Sequence, residues 1–337
     1  MKKFRDIKIK GRRAKKLSWG VAGCGNFLEN TFLPTFQHLK RSKLTSVYSS
    51  NKKRAEFIKQ KFIAENSFDD FQSFLSSDID AIYISSKNSD HYQQVLQAAK
   101  AGKHILCEKP LSITAEQAEE MVAVCKENDV LLTVNYVFRH HPIIKKTKEF
   151  IDGNLLGKIV SISAKFNFDY KPNDNFRFDI EESGGGALRD LGTHMIDLLR
   201  YLGGEISSIN GAIDNVIYES KVDDFATALV KFENGGYGDF NVSFNVSEPV
   251  NRIEILGHKG TIIIDKMIGQ RHAASKMTIS LKNEGRKAFR RRANKQLYLL
   301  RDVQKSFLKN ETPLITGYDG LVNMKLMTEL EKSKVKN

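Results

Sequence analysis

A chain of 337 residues has room for about two domains, and its 41% hydrophobic content is enough to bury full cores. No window approaches the ~18 uninterrupted apolar residues of a membrane span, and no apolar segment with a small-residue cleavage site follows the basic start, so the reading is a cytoplasmic protein without leader or anchor. The formal net charge of +13 is localised: residues 1–16 carry nine Lys/Arg against one acid, residues 286–309 carry nine against Asp302, and the remainder is weakly acidic. Neither basic segment sits in a nucleic-acid-binding motif, so both read as solvated surface, with scope for holding an anionic substrate or a partner subunit. Nucleic acid is not the expected partner. The three cysteines, Cys24, Cys107 and Cys125, are odd in number and lack C-x-x-C spacing, which argues against a disulfide framework and a zinc site and fits a reducing compartment. No metal is expected.

After the basic arm, residues 17–22 (LSWGVA) form a short apolar run that ends in Gly23-Cys24-Gly25-Asn26 and leads into a helix-compatible stretch to about His38. Strand, glycine turn and helix in that order form the context of a dinucleotide site. Gly23 makes the tight turn, and Gly25 lets a pyrophosphate approach the helix start at Asn26 and Phe27, where free N–H groups and the dipole favour negative charge. The third position of the fingerprint is Leu28, neither Gly nor Ala. A second strand at residues 44–48 ends where the ribose of a dinucleotide lies. An NAD enzyme usually places a carboxylate there, whereas this chain has Ser49-Ser50-Asn51-Lys52-Lys53-Arg54. Hydroxyls followed by cations suit a 2′-phosphate, so Ser49, Ser50 and Arg54 point to NADP(H), with NAD(H) as the alternative. The structural alternative is that residues 52–54 are the solvated first turn of a helix running to Lys61.

The alternation continues with a short helix at 68–75, a buried strand at 81–85 (AIYIS), a helix at 90–101 and a strand at Ile105-Leu106. This predicts a doubly wound parallel sheet with its ligand at the carboxyl ends of the strands. Loops at those ends carry Ser85, Asn88, His91, Glu108 and Lys109, all candidates for the cofactor crevice. Pro110 breaks the strand in a turn tight enough for a cis peptide.

Residues 183–201 (SGGGALRDLGTHMIDLLRY) hold the chemistry. Three glycines precede an apolar spacing at Leu188, Leu191, Met195, Leu198 and Leu199 that reads as helix. Asp190 and His194, four apart, would project from one face and supply the carboxylate and imidazole that proton transfer near neutral pH requires. A structural His–Asp pair on an ordinary amphipathic helix is the alternative. From residue 158 onward, alternating runs at 160–168, 226–232, 237–244, 252–256 and 261–264 read as strands, and residues 320–330 read as a helix returning to the first domain.

The ordered series of G-x-G at Gly23 and Gly25, SKNSDH at 86–91, AGKHILCEKPLS at 101–112, FRHHP at 138–142, GGGALRDLGTHMIDLLRYLGG at 184–204, VDDFATALVKFENG at 222–235 and EILGHKGTIIID at 254–265 resembles the glucose-fructose oxidoreductase, inositol dehydrogenase and rhizopine-catabolism (Gfo/Idh/MocA) family over residues 17–330. The resemblance implies an α/β chain: an N-terminal Rossmann domain with a doubly wound parallel sheet, then a C-terminal α/β domain whose open, mainly antiparallel sheet often forms the oligomer interface, here a homodimer or homotetramer. It also implies NAD(P)-dependent hydride transfer at a sugar or cyclitol carbon, with Lys109, Asp190 and His194 as the catalytic set.

The expected organisation is therefore a basic arm (1–16), a dinucleotide-binding domain (17–141), a substrate and oligomerisation domain (142–318) and a closing helix (319–337). Arg139, His140 and Arg177 are the candidates for substrate selection, and Tyr170 and Arg189 are within reach of the same cleft. The expected function is NADP(H)-dependent interconversion of a hydroxyl and a ketone on a sugar or sugar derivative. The alternatives are an NAD-linked dehydrogenase of an inositol or a nucleotide-linked amino sugar, and, in another class, a non-catalytic dinucleotide sensor on the same fold.

Overall fold

The computed structural model describes residues 15–268 and 274–333. All but the last two residues of the basic arm, and residues 334–337 of the closing segment, lie outside the described residues. The first half folds as β1 (Leu17–Ala22), a wide helical turn (Leu28–Phe32) running into α1 (Leu33–Phe36), β2 (Ser42–Tyr48), α2 (Lys52–Phe62), β3 (Asn66–Phe68), α3 (Phe71–Leu75), β4 (Ala81–Ile84), α4 (Asn88–Lys100), β5 (His104–Cys107), α5 (Ala115–Glu127) and β6 (Leu132–Val134). The six strands pair in parallel in the order β3-β2-β1-β4-β5-β6, the doubly wound order that puts its crevice where the strand order reverses, between β1 and β4. Every residue of β1 and β4 is buried, as expected of strands covered on both faces. The run expected as one helix at 68–75 is β3 followed by α3, and Asp70 caps the helix by accepting from the Ser73 amide.

The second half contains α6 (Pro142–Asp152), β7 (Ile159–Asn167), α7 (Ile180–Ser183), a wide helical turn at Leu188–Gly192, α8 (Thr193–Gly203), β8 (Ile206–Asp214), β9 (Phe225–Phe232), β10 (Tyr237–Ser243), β11 (Arg252–Gly257), β12 (Gly260–Asp265), β13 (Ser275–Leu281), β14 (Gly285–Arg291), α9 (Lys295–Lys309) and α10 (Gly317–Ser333). Its eight strands run β14-β13-β12-β11-β7-β10-β9-β8. All neighbours are antiparallel except β7 and β10. The fold is thus α/β with a parallel Rossmann-type sheet and an open, mainly antiparallel second sheet.

One face of the second sheet, on which α8 packs against β7 and β10, buries Ala226, Ala228, Val230 and Phe232 of β9, while Leu229 of the same strand is exposed. This is the period-2 pattern of a sheet with one covered side. Chain connectivity binds the two halves. Helix α9 returns to the first sheet, where Phe307 stacks on Trp19 of β1 at 5.7 Å, and α10 packs on α5, β6, α8 and β8.

Candidate active site

The first glycine turn is built from opposite demands. Gly23 has φ +89°, and a Cβ there would lie 2.3 Å from the Ser86 amide nitrogen. The Ser85 hydroxyl ties the β1 and β4 ends together by donating to the Gly23 carbonyl at 2.8 Å. At Gly25 an added Cβ would meet nothing within 4 Å. Chain packing therefore requires the first glycine, while the second leaves open space at the start of a helix whose leading amides have no intrahelical partner. That opening, exposed at Gly25 and Asn26 and half-buried at Phe27, is a cradle of the kind a dinucleotide pyrophosphate fills.

At the end of β2, Ser49 accepts from the Asn51 amide at 3.2 Å and Ser50 is exposed. Asn51 caps α2 by accepting from the Arg54 amide. The Arg54 side chain does not stand open to the crevice: its Nε donates to the Cys24 carbonyl at 2.8 Å and its Nη2 pairs with Glu29. Cys24 is buried, and burial pushes its thiol up to about 12, so it plays no nucleophilic part.

The E-K-P turn follows β5, with a cis Lys109–Pro110 peptide. Lys109 Nζ is held at 2.5 Å by Asp190 Oδ1 and at 2.8 Å by the Asp190 carbonyl. The other carboxylate oxygen of Asp190 lies 3.4 Å from Arg177 Nε. Burial alone would raise the Asp190 carboxyl, but the Lys109 ammonium and the Arg177 guanidinium outweigh it and hold the group well below the usual carboxylate range.

His194 is buried among Phe138, Tyr136 and Phe166, with ring centroids at 4.9, 6.0 and 6.3 Å. Burial and the nearby Lys109 charge push its imidazole well below its ordinary value, so it is neutral at pH 7. Its Nδ1 has no hydrogen-bond partner among the described residues. Asp190 does not hydrogen-bond it. The regular helix expected across both residues is a wide turn at 188–192 followed by α8, and Asp190 is drawn instead to Lys109 and Arg177.

Other candidates take supporting positions. His91 is fully buried with Nδ1 3.1 Å from the Pro110 carbonyl, so it supports the E-K-P turn from beneath and does not line the crevice. Asn88 donates to the Ser183 carbonyl at 2.9 Å, joining α4 to the second glycine turn. Glu108 accepts from Tyr83 and from Asn135; burial raises its carboxyl against these donors and Lys109.

Arg139, one of the substrate candidates, is placed apart from the Lys109–Asp190 pair. It is buried in a bidentate pair with Asp197 at 2.7 and 2.9 Å and lies 3.0 Å from Asp319 of α10, because a guanidinium this deep must be matched by carboxylates. His140 is 1% exposed, and burial pushes it down to about 3. Of the three substrate candidates, only Arg177 reaches the Lys109–Asp190 cluster. Arg189 turns away to pair with Glu331 of α10.

Sequence reading did not find Asp223. Its carboxylate accepts from the Gly186 and Leu188 amides at 2.7 and 2.8 Å, and its carbonyl accepts from the Ala187 amide at 2.9 Å. It thereby clamps the turn from which Asp190 projects. The one available signal was the V-D-D motif, and nothing in its spacing reveals a partner 37 residues away.

A glycine cradle at the carboxyl end of a parallel sheet, in a chain that also pairs a lysine with a carboxylate and buries an imidazole, is the pattern of dinucleotide-dependent oxidoreductases. Residues 17–136 match the oxidoreductase family with an NAD-binding Rossmann fold, and residues 144–263 match the Gfo/Idh/MocA C-terminal domain. The chain belongs to the Gfo/Idh/MocA oxidoreductase family. It is 30% identical over 249 residues to levoglucosan dehydrogenase of Pseudarthrobacter phenanthrenivorans, an alignment that spans 65% of this chain and 64% of that protein, just under two thirds of its length.

Among solved structures, the aldose-aldose oxidoreductase of Caulobacter crescentus, complexed with glycerol, superposes with a TM-score of 0.87 at 23% identity over 95% of this chain and 97% of that one. A 3-ketoreductase of Actinomadura kijaniata with NADP and TDP-benzene gives 0.84 at 23% identity over 95% and 98%. A levoglucosan dehydrogenase with NADH and levoglucosan gives 0.86 at 23% identity over 95% and 97%. At these identities the structural likeness establishes the fold. No helix among the described residues is long and apolar enough to cross a membrane.

Proposed function

We propose that this protein is an NADP(H)-dependent oxidoreductase acting on a carbon of a sugar or sugar derivative, interconverting a hydroxyl and a ketone. The observation that carries the reading is the Lys109–Asp190 pair, with a buried imidazole at His194 on the helix that follows, in a fold whose first glycine turn leaves an open cradle. Relatives named for sugar and keto-sugar chemistry supply the substrate class.

The cradle residues Gly23, Gly25, Asn26 and Phe27 would hold the pyrophosphate, and Ser49, Ser50 and Arg54 the 2′ end. When bound, the nicotinamide supplies the hydride donor or acceptor. The protein's own part is to place and protonate the reacting oxygen. Lys109, fixed by Asp190, hydrogen-bonds that oxygen and favours its alkoxide-like state electrostatically. His194, neutral at rest, takes the hydroxyl proton in oxidation and returns it in reduction. A positioned acid/base contributes ~10²- to 10⁴-fold. Arg177 reaches the same oxygen-binding corner through Asp190 and is the residue best placed to select the substrate.

The division of the chain at 17–141, 142–318 and 319–337 goes with this assignment. A homodimer or homotetramer through the second sheet accounts for the exposed Val160, Leu229, Tyr237 and Leu256 on β7, β9, β10 and β11. A cytoplasmic location suits three buried free cysteines.

A second reading, NAD(H) in place of NADP(H), is favoured by one observation: Glu29 already occupies Arg54. Titration of the protein with NADPH and NADH, followed by nicotinamide fluorescence, separates the two readings. Screening keto-sugars with the preferred nucleotide then tests the chemistry. Lys109→Met is expected to bind nucleotide normally and lose turnover by ~10²-fold or more. If neither nucleotide binds, the oxidoreductase reading fails; tight binding with no turnover on any substrate supports the sensor.

A further inference from the structure

The environment of Arg54 holds a device that the proposed chemistry does not use. Its guanidinium is fixed at one edge by the Cys24 carbonyl of the glycine turn, 2.8 Å from Nε, and at another by the Glu29 carboxylate. The second oxygen of Glu29 is taken by Lys61 Nζ at 2.5 Å. One carboxylate, only 13% exposed, thus sits between a cation from each end of α2. The two cations, Lys61 first, hold its carboxyl below the ordinary range, so it stays charged at neutral pH.

This cluster stands beside the end of β2, where the fold places the ribose of a dinucleotide and where an arginine accommodates a 2′-phosphate. A 2′-phosphate and Glu29 are both anions that seek the same bidentate guanidinium. They also repel one another when brought to it together. A 2′-hydroxyl makes no such demand and leaves the Arg54–Glu29 pair intact.

We propose that Glu29 is a specificity-determining counter-ion that competes with the 2′-phosphate for Arg54, and that Lys61 moderates the competition by sharing the Glu29 charge. The proposal rests on the reading that a dinucleotide binds this crevice with its 2′ end at Arg54. Cofactor preference is then set by a three-residue balance and not by the serine and lysine run alone.

The test uses binding and not turnover. The full chain and its Glu29→Gln, Lys61→Gln and Arg54→Gln variants are titrated by calorimetry with 2′,5′-ADP, which carries the 2′-phosphate, and with 5′-ADP, which does not. Glu29→Gln is expected to bind 2′,5′-ADP about fivefold tighter or more, with 5′-ADP changed less than about twofold. Lys61→Gln, which leaves the whole Glu29 charge on Arg54, is expected to bind 2′,5′-ADP about threefold weaker or more. Arg54→Gln is expected to weaken 2′,5′-ADP by about tenfold.

Arg54→Gln weakening 2′,5′-ADP while Glu29→Gln binds it equally or less tightly overturns the proposal and leaves the site assignment standing. Unchanged 2′,5′-ADP binding in Lys61→Gln also overturns it, and that variant removes only a half-exposed side chain, so its folding is not at issue. No effect of Arg54→Gln on either probe refutes the site assignment itself, and the proposal with it.

Discussion

Replacing Gly186 with alanine tests how the site is held. The added Cβ would lie 1.9 Å from the Asp223 carbonyl oxygen, 2.8 Å from its carbonyl carbon and 2.9 Å from its amide nitrogen. All three are backbone atoms, so no side-chain rotation relieves the clash. The turn must move away from Asp223 and stretch three hydrogen bonds, two of them to a buried carboxylate. Overpacking of this kind costs about 1–3 kcal/mol, and weakening two bonds to a charged acceptor adds about 1–3 kcal/mol. A total of about 2–6 kcal/mol corresponds to a fall in Tm of about 3 °C or more.

The Asp190 amide donates to the Gly186 carbonyl at 2.9 Å, so the same shift pulls Asp190 from Lys109 and turnover falls with stability. The assays are thermal melting followed by circular dichroism, and turnover at saturating nucleotide. A melting curve within 1 °C of wild type together with unchanged turnover would refute the clamp. Asp223→Asn is the milder companion. It keeps the shape but turns one acceptor into a donor facing an amide, and is expected to cost about 1–3 kcal/mol.

Gly25→Ala is expected to do the reverse, leaving Tm within about 1 °C because nothing lies within 4 Å of the new Cβ, while weakening NADPH binding about tenfold or more by filling the cradle; calorimetry with NADPH checks it, and normal binding would remove the pyrophosphate from that turn. The buried histidines predict acid sensitivity. Burial pushes His91 and His141 down to about 4, so below pH 6.5 the unfolded chain binds protons that the folded chain refuses. Stability then falls as pH drops from 6.5 towards 4, by up to about 1.4 kcal/mol per pH unit for each residue. Urea titrations at pH 7.5, 6.0 and 5.0 measure the slope, and His91→Gln should flatten it; equal stability at all three values would show that these rings protonate freely in the fold.

Local pattern made much of this architecture readable. The strands of the first sheet are short apolar runs bounded by glycine and polar turns, and the cradle follows from Gly23 and Gly25 in that context. The E-K-P turn and the GGG segment were readable as blocks, and Lys109 of the one meets Asp190 of the other. Partnership across distance was not readable. Arg54 looks like a free cation in sequence because Glu29 lies 25 residues earlier on another element. Arg139 reads in sequence as an open cation because nothing local foretells its pairing with Asp197 and Asp319.

Strand β14 escaped for a different reason. Its sequence GRKAFRR has every residue exposed and no apolar alternation, so it carries no burial signal and reads as basic surface until β13 pairs with it. The wide turn at 188–192 was also hidden, since the apolar spacing there is that of an ordinary helix.

Part of the pairing of the buried arginines comes from far along the chain. Asp319 neutralises Arg139, Asn323 and the Asp319 carbonyl receive Arg200, and Glu331 receives Arg189. All three residues belong to α10. During synthesis the Rossmann sheet and the second sheet can form before α10 exists, but Arg189 would then lack its carboxylate, while Arg139 and Arg200 would keep only Asp197 and Glu205; a buried ion left without its partner is costly. The helix carrying His194 is therefore expected to reach its final packing only once α10, which packs against it, has been made and docked. A chain interrupted before α10 should be captured by chaperones or degraded, and no partly active fragment should accumulate.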